Sequence, residues 1–174
     1  MRELAKITAK LKDGKYDGVM IIKARWERIE CNDSYEPDIV KETKRMLVCQ
    51  ACYHNQRLST TMLLNPAMDN NLPAGDFPKE AMNSCWHTFT RQEVLDFVEA
   101  VGDTNPIHRT EQPIVPGLLL LETIKAGLPE NLDALELSFR NAVFSGDPLE
   151  LVVGGNQLEV KGRCVFVTGW CKYV

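Results

Sequence analysis

The sequence predicts an α+β domain in which an antiparallel sheet wraps one long buried helix, and two observations predict it. From Pro116-Gly117 to about Gly127, the run Leu118-Leu119-Leu120-Leu121-Glu122-Thr123-Ile124 is apolar on every side of its first half, as a helix buried all round must be. After Pro129 strand signals dominate, and one buried helix followed by three antiparallel strands forms a two-layer arrangement. With 174 residues the chain is long enough for one sizeable core, so residues before the helix must supply the remaining strands.

Taken in order, residues 1–14 read as a short amphipathic helix stopped at Asp13-Gly14, and Tyr16 to Ile29 alternates as a strand. The polar stretch around Asn32 to Asp38 breaks the pattern. A second strand is expected from about Arg45 to Leu64, kinked near His54-Asn55, which would make a long hairpin with the first. Asn65 to Asn83, with Pro66, Pro73, Pro78 and Gly75, reads as a loop. It divides an N-terminal extension, residues 1–85, from a core, residues 86–174.

In the core, Thr90 and Glu93 have the spacing of a capping box, and Phe89 can staple onto Val94. Val94, Phe97, Val98 and Val101 share one face, and Gly102 suits the C-terminal cap. That helix therefore delivers Asp103 into a loop. Beyond the buried helix, strands are expected over Leu135 to Phe144, Leu149 to Val160 and Cys164 to Val174. A turn at Ser145-Gly146-Asp147-Pro148 separates the first two, and Gly154-Gly155 is expected to bend the middle one.

Composition excludes several function classes. Apolar residues make up 44%, charged residues 25% and aromatics 7%, as in ordinary soluble proteins. A net charge of -4 with scattered Lys and Arg offers no basic stripe, so no nucleic-acid partner is expected. The start has no apolar run to serve as a signal-peptide core, and no stretch approaches the ~20 apolar residues of a membrane span. A cytoplasmic location without a membrane partner is the expectation. Six cysteines are then expected to be reduced thiols. Cys49 and Cys52 have the spacing of a metal or redox pair but lack a second ligand pair, and strand alternation sends them to opposite faces. No metal is expected there.

The most informative stretch is Asp103-Thr104-Asn105-Pro106-Ile107-His108, which sets a carboxylate and an imidazole five residues apart on a loop stiffened by proline, beside the buried helix. Gly102 through His108 resembles the signature of MaoC-like (R)-specific enoyl-CoA hydratases, in which the Asp and His are the acid/base pair; the resemblance gives those roles to Asp103 and His108. The residues that follow resemble β-hydroxyacyl-carrier-protein dehydratases. There a catalytic His lies five residues before a Pro-Ile-hydrophobic-Pro-Gly segment and fourteen before a catalytic Glu. Pro113-Ile114-Val115-Pro116-Gly117 and Glu122 stand at those spacings from His108, and Phe139 to Leu149 resembles that family's strand and turn.

Both resemblances imply a hotdog fold and a homodimer, or a dimer of dimers, joined edge to edge. They imply a hydro-lyase acting on the thioester of coenzyme A or acyl carrier protein, in fatty acid metabolism, with no cofactor. His108, Glu122 and Asp103 would be catalytic, and Gly117, Asn105, Val115 and Pro116 would bind substrate. The likeness covers roughly residues 86–153. The chain departs from the MaoC-like pattern in the short segment after the His and from the dehydratase pattern in Ile107-His108-Arg109; residues 1–85 match neither family.

The chemistry points the same way. Hydration of an enoyl thioester needs a base for water, an acid for the α-carbon and a donor for the thioester oxygen. His108 exchanges protons near neutral pH, and as a loop residue it is expected to carry little core packing. The Gly117 backbone N–H at a helix start is the expected donor. Spacing leaves Asp103 and Glu122 level as the partner of His108. Burial of Glu122 among leucines, reaching the His from a second protomer, tips the expectation towards Glu122. Two rivals stand beside this reading: an acyl-CoA thioesterase using Glu122, and a non-catalytic module that binds acyl carriers. His54 and His87 are assigned no chemistry.

Overall fold

The computed structural model describes residues 1–11, 16, 18–64 and 85–174. The loop expected over 65–83, and the Asp13-Gly14 stop, lie outside the described residues. Helix α1 is Arg2–Thr8. Strands β1 (Met20–Arg28), β2 (Asp38–Glu42), β3 (Met46–Tyr53) and β4 (Gln56–Leu63) follow. After the short β5 (His87–Thr88) come α2 (Arg91–Val101), a 3-10 turn (Pro106–His108) and α3 (Gly117–Ala126). The chain ends with β6 (Leu132–Phe139), β7 (Pro148–Gly154), β8 (Gln157–Lys161) and β9 (Val165–Tyr173).

The nine strands of the described residues lie in one antiparallel sheet of order β2-β3-β4-β1-β6-β9-β8-β7-β5. The order contains a repeat. Helix α1 precedes four strands that lie as β1-β4-β3-β2, and α3 precedes four that lie as β6-β9-β8-β7. The two sets join where β1 pairs with β6, Ala24 opposite Leu137 and Trp26 opposite Leu135. Residues 1–64 therefore add a helix and four strands to the sheet.

Several sequence expectations change. The kink at His54-Asn55 is a full reversal: both residues have positive φ, 49° and 55°, and Tyr53 pairs with Gln56, so one expected strand is the two-stranded hairpin β3–β4. The bend at Gly154-Gly155 is likewise a reversal, with Gly155 at φ 59° and Gly154 paired to Gln157, which splits the expected middle strand into β7 and β8. Strand β2 begins at the end of the polar stretch, where the sequence reads as a break. The first strand and the first helix are also shorter than expected, Met20–Arg28 and Arg2–Thr8.

The core gathers α3, α2 and α1 against the inner face of the sheet. Leu121, Ile124, Val94, Leu135, Leu137 and Leu58 are fully buried in one cluster that also holds Trp26 and Phe89. Helix α2 is set by its ends. Thr90 Oγ1 accepts from the Glu93 N–H at 3.1 Å, and Glu93 Oε2 accepts from the Thr90 N–H at 2.7 Å, closing the capping box. At the far end Gly102 takes φ 75°, and the Asp103 N–H turns back to the Val98 carbonyl at 2.9 Å. Among the described residues no helix is long and apolar enough to cross a membrane.

Candidate active site

The loop after α2 is built from its own polar groups. Asp103 Oδ1 accepts the Asn105 N–H at 2.9 Å, and Asn105 Oδ1 accepts the Ile107 N–H at 3.4 Å, starting the 3-10 turn with Pro106 in its first position. Asn105 Nδ2 donates to the Val19 carbonyl at 3.0 Å, so the loop is tied to the residue just before β1. Arg109 holds the other side, donating to the Asp103 carbonyl at 2.9 Å.

That scaffold places His108. Its Nδ1 lies 2.6 Å from the Ile114 carbonyl oxygen, which can only accept, so Nδ1 carries the proton and Nε2 presents a lone pair. Nε2 stands 3.7 Å from Asp103 Oδ2, beyond direct hydrogen-bond reach. His108 is 7% exposed, so it is a buried residue rather than a loosely packed loop side chain. Burial holds its pKa below the usual imidazole value, against the upward pull of the Asp103 charge and the Ile114 bond; Arg109 adds to the lowering.

Opposite the loop, Gly117 opens α3. The Leu119 and Leu120 N–H groups both bond to the Pro116 carbonyl, at 3.0 and 3.1 Å, and the Gly117 and Leu118 amides make no backbone bond among the described residues. A Cβ at Gly117 would come within 3.1 Å of the Phe139 ring, so the absence of a side chain lets that ring close over the helix start.

His108, Asp103, Asn105, Val115, Pro116 and Gly117 all line one cavity of about 690 Å³. Its other walls are largely apolar and come from both halves: Ala5, Thr8, Met20 and Met62 on one side, Phe97, Val101 and Leu120 on the other. Glu122 is not among the lining residues. Its side chain is 26% exposed, not enclosed by the leucines around it, and pairs with Arg2 at 3.4 Å. Of the two carboxylates the sequence offers, the chain brings Asp103 to its own His108.

Sequence reasoning missed the Ile114 and Val19 carbonyls, which as backbone acceptors carry no residue-type signal, and the contribution of α1 and β4 to the cavity. Among the described residues no three His, Cys, Asp or Glu groups gather to hold a metal ion. Cys49 is buried on β3 with its sulfur 3.1 Å from the Thr60 hydroxyl, while Cys52 is only half-buried.

No family profile matches the chain, and no curated protein sequence does. Several solved structures are similar to it. HtdX from Mycobacterium tuberculosis is 15% identical with a TM-score of 0.56, over 91% of this chain and 78% of that one. A MaoC-like dehydratase from Phytophthora capsici is 13% identical with a TM-score of 0.53, over 95% and 72%. An acyl-ACP thioesterase from Bacteroides thetaiotaomicron is 12% identical with a TM-score of 0.53, over 90% and 76%. At such identities the likeness concerns the fold, which a MaoC-like dehydratase and an acyl-ACP thioesterase share. With its helix-wrapping antiparallel sheet, this chain has the hotdog fold.

Proposed function

We propose that the chain is an (R)-3-hydroxyacyl thioester dehydratase, or in reverse an enoyl thioester hydratase, acting on acyl groups carried by coenzyme A or acyl carrier protein. The observation that carries this reading is the gap between His108 Nε2 and Asp103 Oδ2. Two acceptors 3.7 Å apart on the wall of an apolar cavity suit a water that donates one hydrogen to each. Across the cavity, the unpaired amides of Gly117 and Leu118 suit the thioester oxygen, where charge grows as an enolate forms.

In hydration, the water oxygen bonds to the β-carbon while His108 Nε2 takes one of its protons. The π electrons move to the thioester oxygen, against the α3 amides. The imidazolium then returns its proton to the α-carbon, so the enoyl group gains one water and the protein returns to its starting state. Asp103 orients the water and stabilises the transient imidazolium. The Ile114 carbonyl keeps the proton on Nδ1, so that Nε2 is the basic atom in each cycle.

The hydrolytic alternative would need a helix carboxylate on the cavity, and Glu122 is paired with Arg2 instead. The edge-to-edge seam expected between two chains has a counterpart within one, β1 against β6. Both walls of the cavity come from the same chain, so this reading needs no second copy to complete the site. A homodimer would have to use another surface, such as the outermost strand β2, whose five residues are all exposed.

Incubation with crotonyl-CoA tests the activity. Loss of the conjugated enoyl absorbance without release of free thiol is the expected result; thiol release with the chromophore intact, or no change in either, would overturn it.

A further inference from the structure

Among the described residues the cavity lining holds two charged side chains other than its histidine: Asp103, engaged with the His108 loop, and Arg140. Arg140 is the only Lys or Arg in that lining among the described residues. It follows β6 directly after Phe139, whose ring covers the start of α3. Its position is fixed by the backbone, since the Arg140 and Asn141 N–H groups both donate to the Phe166 carbonyl, at 2.8 and 3.3 Å. The side chain is exposed, and its Nε donates to the Thr168 hydroxyl at 3.3 Å. No carboxylate comes within ion-pair reach of it among the described residues. A guanidinium has five N–H donors, so four remain for a ligand.

An apolar cavity with one braced, unneutralised guanidinium at its edge fits an amphipathic ligand whose apolar end lies inside and whose anionic group stays near solvent. We propose that Arg140 is the anion subsite of this cavity and takes the phosphate that ends the pantetheine arm of the thioester carrier. The identity of the ligand rests on the thioester reading above. Coenzyme A and acyl carrier protein present the same phosphopantetheine chemistry, and both are phosphate esters of the kind that the planar fork of arginine grips in bidentate fashion. Because the subsite touches only the carrier, it contributes equally to ground and transition states and acts on KM rather than kcat.

Binding separates this inference from the reaction. Butyryl thioesters lack the double bond, so they occupy the cavity without turnover, and calorimetric titration can compare butyryl-pantetheine, butyryl-phosphopantetheine, butyryl-CoA and butyryl-carrier protein. The Arg140→Ala variant is expected to weaken the phosphorylated ligands about tenfold, the scale of one charge-assisted hydrogen bond, and to leave butyryl-pantetheine unchanged. Arg140→Lys should retain part of the affinity. A loss shared by butyryl-phosphopantetheine and either carrier supports the subsite, and the carrier that shares it identifies the source; a loss that spares butyryl-phosphopantetheine overturns it. Equal loss for butyryl-pantetheine, unchanged affinity for every phosphorylated ligand, or no binding of any ligand by the unaltered protein overturns it. A protein that binds with this phosphate preference yet fails to hydrate crotonyl thioesters would overturn the proposed reaction and leave the subsite standing.

Discussion

The Asn105 side-chain amide donates to the Val19 carbonyl at 3.0 Å, joining the loop that carries His108 to the residue before β1, 86 positions away in sequence. The same residue starts the 3-10 turn through Oδ1 and gives its backbone N–H to Asp103. Asn105 was expected to bind substrate, but its side-chain oxygen and one amide hydrogen serve the protein. Asn105→Ala should therefore misplace the loop, lowering kcat by about 10 to 10²-fold, as small displacements of reacting groups do. Asn105→Asp should be worse, since it sets a carboxylate against the Val19 carbonyl. Steady-state kinetics alongside thermal unfolding checks this; unchanged kcat in both variants would contradict it.

How much of this was legible in the sequence depends on whether the signal was local. The capping box of α2 and the apolar run in the first half of α3 are carried by neighbouring residues, and both elements form where the pattern places them. Strand β2 escaped because all five of its residues are exposed, so no buried alternation marks it. His54 and Asn55 reverse the chain at positive φ without a glycine, which left the hairpin looking like a kink. At the site, the spacing of Asp103 and His108 was readable, whereas the pairing of Glu122 with Arg2, 120 positions apart, is a product of the fold.

The pH profile should carry the mark of a buried base. His108 titrates below the usual value of 6.5 because burial disfavours the imidazolium. Its basic form then persists below that pH, so the acid limb of kcat/KM should fall below 6.5. Stability follows the same sign. The unfolded chain protonates this histidine first, so the folded state loses stability as pH falls through the ordinary value towards the depressed one. An acid limb at or above 6.5 in the kcat/KM profile would contradict the assignment.

His108→Ala should remove the proton shuttle and slow hydration by ~10²-fold or more. Because the ring is buried and bonded to Ile114, the variant should also unfold more easily, by about 1 to 3 kcal/mol. Activity measured well below the variant's own melting temperature separates the two effects; near-normal turnover there would show that another group moves the proton.

If one chain carries a complete site, activity per chain should not depend on protein concentration. Turnover measured across dilutions, with sedimentation of the same samples, is expected to give constant specific activity whether or not dimers form. Activity that disappears as dimers dissociate would show that a second chain supplies part of the site.

The most direct test of the central claim compares Asp103→Asn with Glu122→Gln in the hydration of crotonyl-CoA. The carboxylate 3.7 Å from His108 is that of Asp103, while Glu122 pairs with Arg2 outside the cavity lining. Asp103→Asn should therefore lose ~10²-fold or more in kcat, the scale of removing a charge that orients the water and stabilises the imidazolium, and Glu122→Gln should stay within a few-fold of the unaltered protein. A dead Glu122→Gln beside an active Asp103→Asn, with activity partly restored by mixing inactive His108→Ala and Glu122→Gln chains, would contradict the same-chain pair.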